Sequence, residues 1–131
     1  MNLAYKSQAQ FLAIYVREAH ATDGVRSEAN DKMGIQIAQP KTQGERHSAA
    51  VKCQAALQMS MPVLIDSIDD KVGHMYSGMP DRLYVIDRNG KVVYKSARGP
   101  FGFKHGEMEQ TLILTLIAQE AEKKPVVTHT K

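Results

Sequence analysis

The chain has 131 residues but only one cysteine, no tryptophan and 6% aromatic residues. A lone thiol, Cys53, cannot close an intramolecular disulfide, so no covalent cross-link holds the fold. For the same reason no internal dithiol pair supplies redox chemistry. No apolar run approaches the roughly 20 residues that a bilayer-spanning helix needs, and no charged segment followed by an apolar one opens the chain as a leader would. A cytoplasmic location is the default expectation. The formal charge of +3 is scattered; no basic patch is interleaved with stacking aromatics, so nucleic acid is not an expected partner. His47, His74, His105 and His129 show no metal-ligand spacing with any Cys, Asp or Glu, and no metal site is expected. Repeats and low-complexity segments are absent.

What remains is an ordinary globular composition, 43% hydrophobic and 24% charged, in a chain long enough to bury a core as one domain. Its most informative segment is Phe11-Leu12-Ala13-Ile14-Tyr15-Val16, which runs into Arg17-Glu18-Ala19-His20. A β-branched and aromatic run that stops at an acid and an imidazole predicts a strand buried on both faces, with polar groups where it leaves the core. That is where open α/β sheets hold their ligands.

Around it, Asn2 to Gln10 reads as the tail of a helix, and Ala21 to Gln39 as a long loop that is either a functional lid or mobile. Thr42-Gln43-Gly44-Glu45 has capping-box spacing. The helix it starts carries Ala49, Ala50, Cys53, Ala56 and Leu57 on one stripe and should end near Met59, ahead of Pro62. Pro62 to Ile65 reads as a short buried strand, Asp66 to Asp70 as an acidic turn whose Asp69-Asp70 pair is solvated, and Lys71 to Tyr76 as a brief helix. Leu83–Ile86 and Lys91–Tyr94 flank Asp87-Arg88-Asn89-Gly90, and an Asn-Gly pair between two β-rich runs predicts a hairpin. Arg98 to Phe103 reads as a tight glycine turn, with an anion cradle of backbone amides as the other reading. Glu107 to Lys124 forms the last helix, with Met108, Leu112, Leu116 and Ile117 inward and Pro125 as its stop. The loosely clustered methionines Met59, Met61, Met75 and Met79 read as core filling. Residues 1–124 are thus expected to be one α/β domain, a mixed sheet with flanking helices, and residues 125–131 a frayed tail. The order matches a thioredoxin-like arrangement without its opening strand.

With these residues in view, the chain resembles the iodothyronine deiodinase family, a branch of the thioredoxin-like and peroxiredoxin-like proteins. The matching segments are Phe11 to Gly24, with the specific Tyr-Val-x-Glu-Ala-His-x-x-Asp-Gly run, Glu45-Arg46 with the alanines that follow, Pro80 to Ile86 with Asn89 to Val92, and Arg98 to Phe103. The resemblance implies a selenoprotein-related oxidoreductase that removes iodine reductively from iodothyronine-like aryl iodides, using a small-molecule substrate and an external thiol reductant. It implies that Glu18 and His20 belong to the catalytic network and that Arg82 binds substrate. A further family histidine has no counterpart, since Pro40 and Lys41 occupy that stretch. The family's selenocysteine or cysteine nucleophile belongs upstream of a helix like Asn2–Gln10. A selenocysteine codon reads as a stop, so a gene start placed at the next methionine would fall at Met1. On this expectation the 131 residues lack the first strand and are inactive alone, and the missing segment is one that could carry an export or membrane signal.

The chemistry suits these residue types. An imidazole exchanges protons near neutrality and a carboxylate can orient it, so the pair can deliver the proton that a dehalogenated carbon needs. A guanidinium offers a rigid fork for an anion or phenolate; the plainer reading of Arg82 is a surface pair with Asp81 or Asp87. Cys53, on an apolar stripe, reads as a small core residue and not as the nucleophile. Two alternatives stay open: a peroxiredoxin-like peroxide or disulfide reductase, and a non-catalytic thioredoxin-fold binding module. An exposed sheet edge would also favour a homodimer.

Overall fold

A computed structural model describes residues 1–123, so the expected tail, 125–131, lies outside the described residues. The elements are α1 (Asn2–Tyr5), β1 (Ala13–Tyr15), α2 (Glu28–Lys32), α3 (Gln43–Ala56), β2 (Val63–Ile65), α4 (Lys71–Met75), β3 (Tyr84–Ile86), β4 (Val92–Lys95) and α5 (His105–Lys123). The molecule is a mixed α/β protein. β1 pairs with β2 in parallel, Ile14 beside Leu64, and β3 pairs with β4 antiparallel. These are two separate two-stranded ribbons, so among the described residues each strand has one hydrogen-bonded neighbour.

The local signals at α3 act as read. Thr42 Oγ1 accepts from Glu45 N at 3.2 Å, and the Glu45 carboxylate accepts from Thr42 N at 3.3 Å, completing a capping box. The hairpin also forms. Asp87 Oδ1 accepts from Asn89 N and Lys91 N, both at 2.9 Å, and Gly90 takes φ +79°, which only glycine adopts without cost. A register shift between Val85 and Ile86 bends the ribbon.

Other elements differ. α1 stops at Tyr5, well short of Gln10, and α3 stops at Ala56 with Leu57 as its cap. α5 starts at His105, two residues early. The long loop contains α2, capped by the Ser27 side chain, which accepts from Asn30 N.

The buried hydrophobic residues are Ala21, Ala49, Ala50, Val85 and Leu112. α3 packs on β2, and α5 packs on β3 and β4. Leu12, Ile14 and Leu64 are exposed, so β1 and β2 half-bury one face where the sequence predicts two buried ones. A two-stranded ribbon with one helix on it can do no more. Leu57 and Ile117 likewise face outward, against their expected inward positions.

The densest polar packing anchors α4. Asp66, 2% exposed, accepts from Ser67 N, Val72 N and Gly73 N at 2.8, 3.0 and 2.7 Å. Arg46, equally buried, donates to Ser67 O at 2.6 Å and pairs with Asp70 at 2.7 Å. Asp70 is therefore not the solvated acid its sequence context predicts; Asp69, exposed, is. α4 then joins the two ribbons: Gly73 lies against Val16 at the end of β1, and the Tyr76 ring meets Tyr84 of β3 edge to face at 5.2 Å. Among the described residues no helix is long and apolar enough to cross a membrane.

Candidate functional site

β1 ends at Tyr15, and the chain turns at once into Glu18 and His20. The Tyr15 hydroxyl donates to Glu18 Oε1. From across the fold, the Gln39 side chain holds the Glu18 backbone from both sides: Oε1 accepts from Glu18 N at 2.9 Å and Nε2 donates to Glu18 O at 3.4 Å. Gln39 N in turn donates to Asp23 Oδ1 at 2.8 Å, and Thr22 N donates to Ile37 O at 2.9 Å. The long loop is thus tied back onto the strand end and fixes the angle at which Glu18 leaves it.

Glu18 is half-buried, and burial pushes its carboxyl above the usual range, with the nearby His20 pulling the other way. His20 is exposed, and its Nδ1 lies 3.2 Å from Val25 O. A carbonyl oxygen can only accept, so in this contact Nδ1 is the donor and Nε2 is left free of it. The acid and the imidazole are close enough to feel each other's charge. Together they place a carboxyl that retains its proton more readily than an exposed one beside an imidazole, a residue type able to exchange protons.

Cys53 approaches the same spot from α3. Burial raises its thiol pKa, and the Glu18 charge adds to the effect. A thiol so placed stays protonated and is a poor nucleophile.

Arg82 stands on the segment leading into β3. It is half-buried, with Nε enclosed and without a hydrogen-bond partner. Neither Asp81 nor Asp87 pairs with it among the described residues, and no bond links it to Glu18 or His20. Asp81 instead packs against Gly99, and Gly99 N donates to Asp81 O at 3.3 Å. The following Arg98–Phe103 segment is a tight turn: Gly102 N donates to Arg98 O at 2.8 Å, and a side chain on Gly102 would collide with the backbone of Ala97 and Arg98.

Sequence reasoning missed Tyr15 and Gln39. Tyr15 carried a usable signal, a hydroxyl three residues before a carboxylate at a strand end. Gln39, 21 positions from its partner, carried none. Among the described residues no three His, Cys, Asp or Glu side chains are grouped to hold a metal ion.

The chain as a whole has relatives among known proteins. Residues 2–114 match the family model "Iodothyronine deiodinase". The chain is 34% identical to a type I iodothyronine deiodinase of Xenopus laevis over 104 residues, covering 79% of this chain and 39% of the relative. It is 34% identical to a thyroxine 5-deiodinase of Sparus aurata over 109 residues, 82% of this chain and 39% of that one. Against a thyroxine 5-deiodinase of Aquarana catesbeiana the identity is 37% over 106 residues, 79% and 37% respectively. The chain therefore spans about two fifths of the length of these relatives. On the family match and these identities together, this chain belongs to the iodothyronine deiodinase family.

Proposed function

We propose that this chain is the proton-handling and substrate-facing part of a thioredoxin-like reductive dehalogenase acting on iodothyronine-like aryl iodides. The observation that carries the reading is the Glu18–His20 pair: a carboxyl whose pKa is raised by burial, bonded by Tyr15, within charge reach of an imidazole. In the net reaction an aryl C–I bond is replaced by C–H, iodine leaves as iodide, and two thiols become one disulfide with release of a proton. Glu18 and His20 deliver the proton to the ring carbon as iodine departs. Arg82, whose Nε has no hydrogen-bond partner among the described residues, holds an anionic or phenolate group of the substrate.

The chalcogen that attacks iodine is not Cys53, whose thiol is held protonated. Its proposed place is a strand outside these residues, pairing with an edge that β1 and β3 leave unpaired here. With that strand the parallel ribbon and the hairpin become one mixed sheet, and residues 1–124 a single thioredoxin-like domain.

The test is iodide release from thyroxine, with excess dithiol, by the protein carrying its nucleophile segment. His20→Ala and Glu18→Gln are each expected to lower kcat by about 10²-fold or more, as loss of a general acid does. Arg82→Gln is expected to raise KM with a smaller effect on kcat. Unchanged turnover in His20→Ala defeats the assignment, and a solved structure with β1 and β3 in unrelated sheets defeats the fold.

A further inference from the structure

A cavity of about 190 Å³ opens between the end of β1 and α4, beside the Glu18–His20 pair but not lined by it. Val16 and Met79 form apolar wall, and Arg17, His74 and Arg98 contribute to the lining. Arg17 and Arg98 reach it from segments far apart in the chain, and among the described residues neither guanidinium pairs with a carboxylate. The one acid on the lining is Asp70, and its Oδ1 already lies 2.7 Å from the buried Arg46. The acid is neutralised from behind, while the two exposed guanidiniums, Arg17 and Arg98, have no carboxylate partner among the described residues and remain at the cavity. Concentrating like charge in a concave site attracts an anion. Two guanidinium forks match the geometry of a carboxylate or a similar oxyanion. The volume is below the roughly 300 Å³ at which sites for whole drug-sized ligands begin, so it fits a head group and not an entire two-ring molecule.

We infer that this cavity is an oxyanion subsite formed by Arg17 and Arg98. One source of the anion is the amino-acid carboxylate of the substrate, an assignment that rests on the function proposed above. A free inorganic oxyanion has the same chemistry and does not need that reading.

The experiment is calorimetric and NMR titration of the 131-residue chain with inorganic sulfate, thyronine, and the amine formed by removing the thyronine carboxylate. Saturable sulfate binding is expected, with the largest shifts at the amides of Arg17, His74 and Arg98. In Arg17→Gln/Arg98→Gln the affinity for sulfate is expected to fall about tenfold or more, since charge-assisted forks are lost. Either single substitution should weaken it about threefold, and the single variants carry the test if the double variant does not fold. Arg88→Gln/Lys91→Gln removes the same charge at the hairpin turn and should change affinity less than about twofold. Thyronine binding more tightly than its amine, with that preference lost in the double variant, assigns the subsite to the substrate carboxylate. Sulfate binding without that preference assigns it to a free oxyanion. No saturable binding of sulfate or thyronine, or equal losses in the two double variants, overturns the subsite. Because the readout is binding, failure here leaves the iodide-release test standing, and failure of iodide release leaves an oxyanion site standing.

Discussion

Arg46 Nη1 lies 2.7 Å from Asp70 Oδ1, the arginine 2% exposed and the aspartate side chain 18%. The contact is an ion pair more than an aligned hydrogen bond, because Asp70 Oδ1 has no partner of hydrogen-bond geometry among the described residues. It joins α3 to the start of α4, and through α4 to both ribbons. Deleting one partner leaves the other charge stranded in a poorly solvated place. Arg46→Ala is expected to destabilise the fold by about 3 kcal/mol or more in urea unfolding. Replacing the pair by Met and Leu together should cost far less. A single-variant loss under about 1 kcal/mol shows that the pair does not hold these elements.

Asp66 supplies a pH signature. Burial by itself raises a carboxyl pKa, but the N–H groups of Gly73, Val72 and Ser67 and the charge of Arg46 outweigh it and hold Asp66 below its usual value. A folded-state pKa below the unfolded one means stability that is present above the unfolded value of about 3.8 and lost as pH falls through the folded value. Asp66→Asn points an amide at these donors and is expected to cost about 1.5–3 kcal/mol at neutral pH, the range for hydrogen bonds to a charged group. It should also flatten the acid limb of the stability profile. Parallel wild-type and variant curves below pH 4 would falsify the assignment.

For Glu18 the sign is reversed. Its folded-state pKa is raised, so its contribution to stability is present below the unfolded value and lost as pH rises through the folded one. The ionised carboxylate is an expense to the fold at neutral pH. Glu18→Gln keeps an acceptor for the Tyr15 hydroxyl and should therefore raise the thermal midpoint at pH 7 but not at pH 4, even as it lowers turnover about 10²-fold or more in the iodide-release assay proposed above. A midpoint that drops at pH 7 means that Glu18 is held for structure.

Cys53 should behave as an inert thiol. Burial and the Glu18 charge both disfavour its thiolate, so alkylation by iodoacetamide at pH 7 is expected to run about tenfold or more slower than for free cysteine. The rate should recover on denaturation. Cys53→Ser should leave iodide release unchanged in the assay proposed above. Fast alkylation of the folded chain, or loss of turnover in that variant, restores Cys53 as a candidate nucleophile.

What could be read in the chain was what neighbours in sequence decide. The capping box at Thr42 and Glu45 and the Asn89-Gly90 turn depend on groups a few residues apart, and both form as their chemistry dictates. The stop before Pro62 and the order of helices and strands follow from the same short-range terms. Glu18 and His20 were legible as a pair because two residues at a strand end cannot be far apart. Ser27 as the cap of α2 was equally local and was passed over, because glycine and asparagine made the whole stretch look irregular.

Burial and charge compensation were not local. Leu12 and Ile14 satisfy every sequence criterion for a buried strand, yet they are exposed because each ribbon carries a helix on one face. Asp70 looks like a surface acid until Arg46, on another helix, is folded against it. The grip of Gln39 on the Glu18 backbone and the meeting of Arg17 with Arg98 at one cavity bring together residues that the chain keeps far apart, and the burial that raises the Glu18 pKa exists only in the folded chain. Sequence by itself determined the elements and the kind of chemistry available, since propensity, capping and turn formation act over a few residues. The tertiary structure alone decided which of those groups lose their water and which charges face one another, because desolvation and electrostatics act through space.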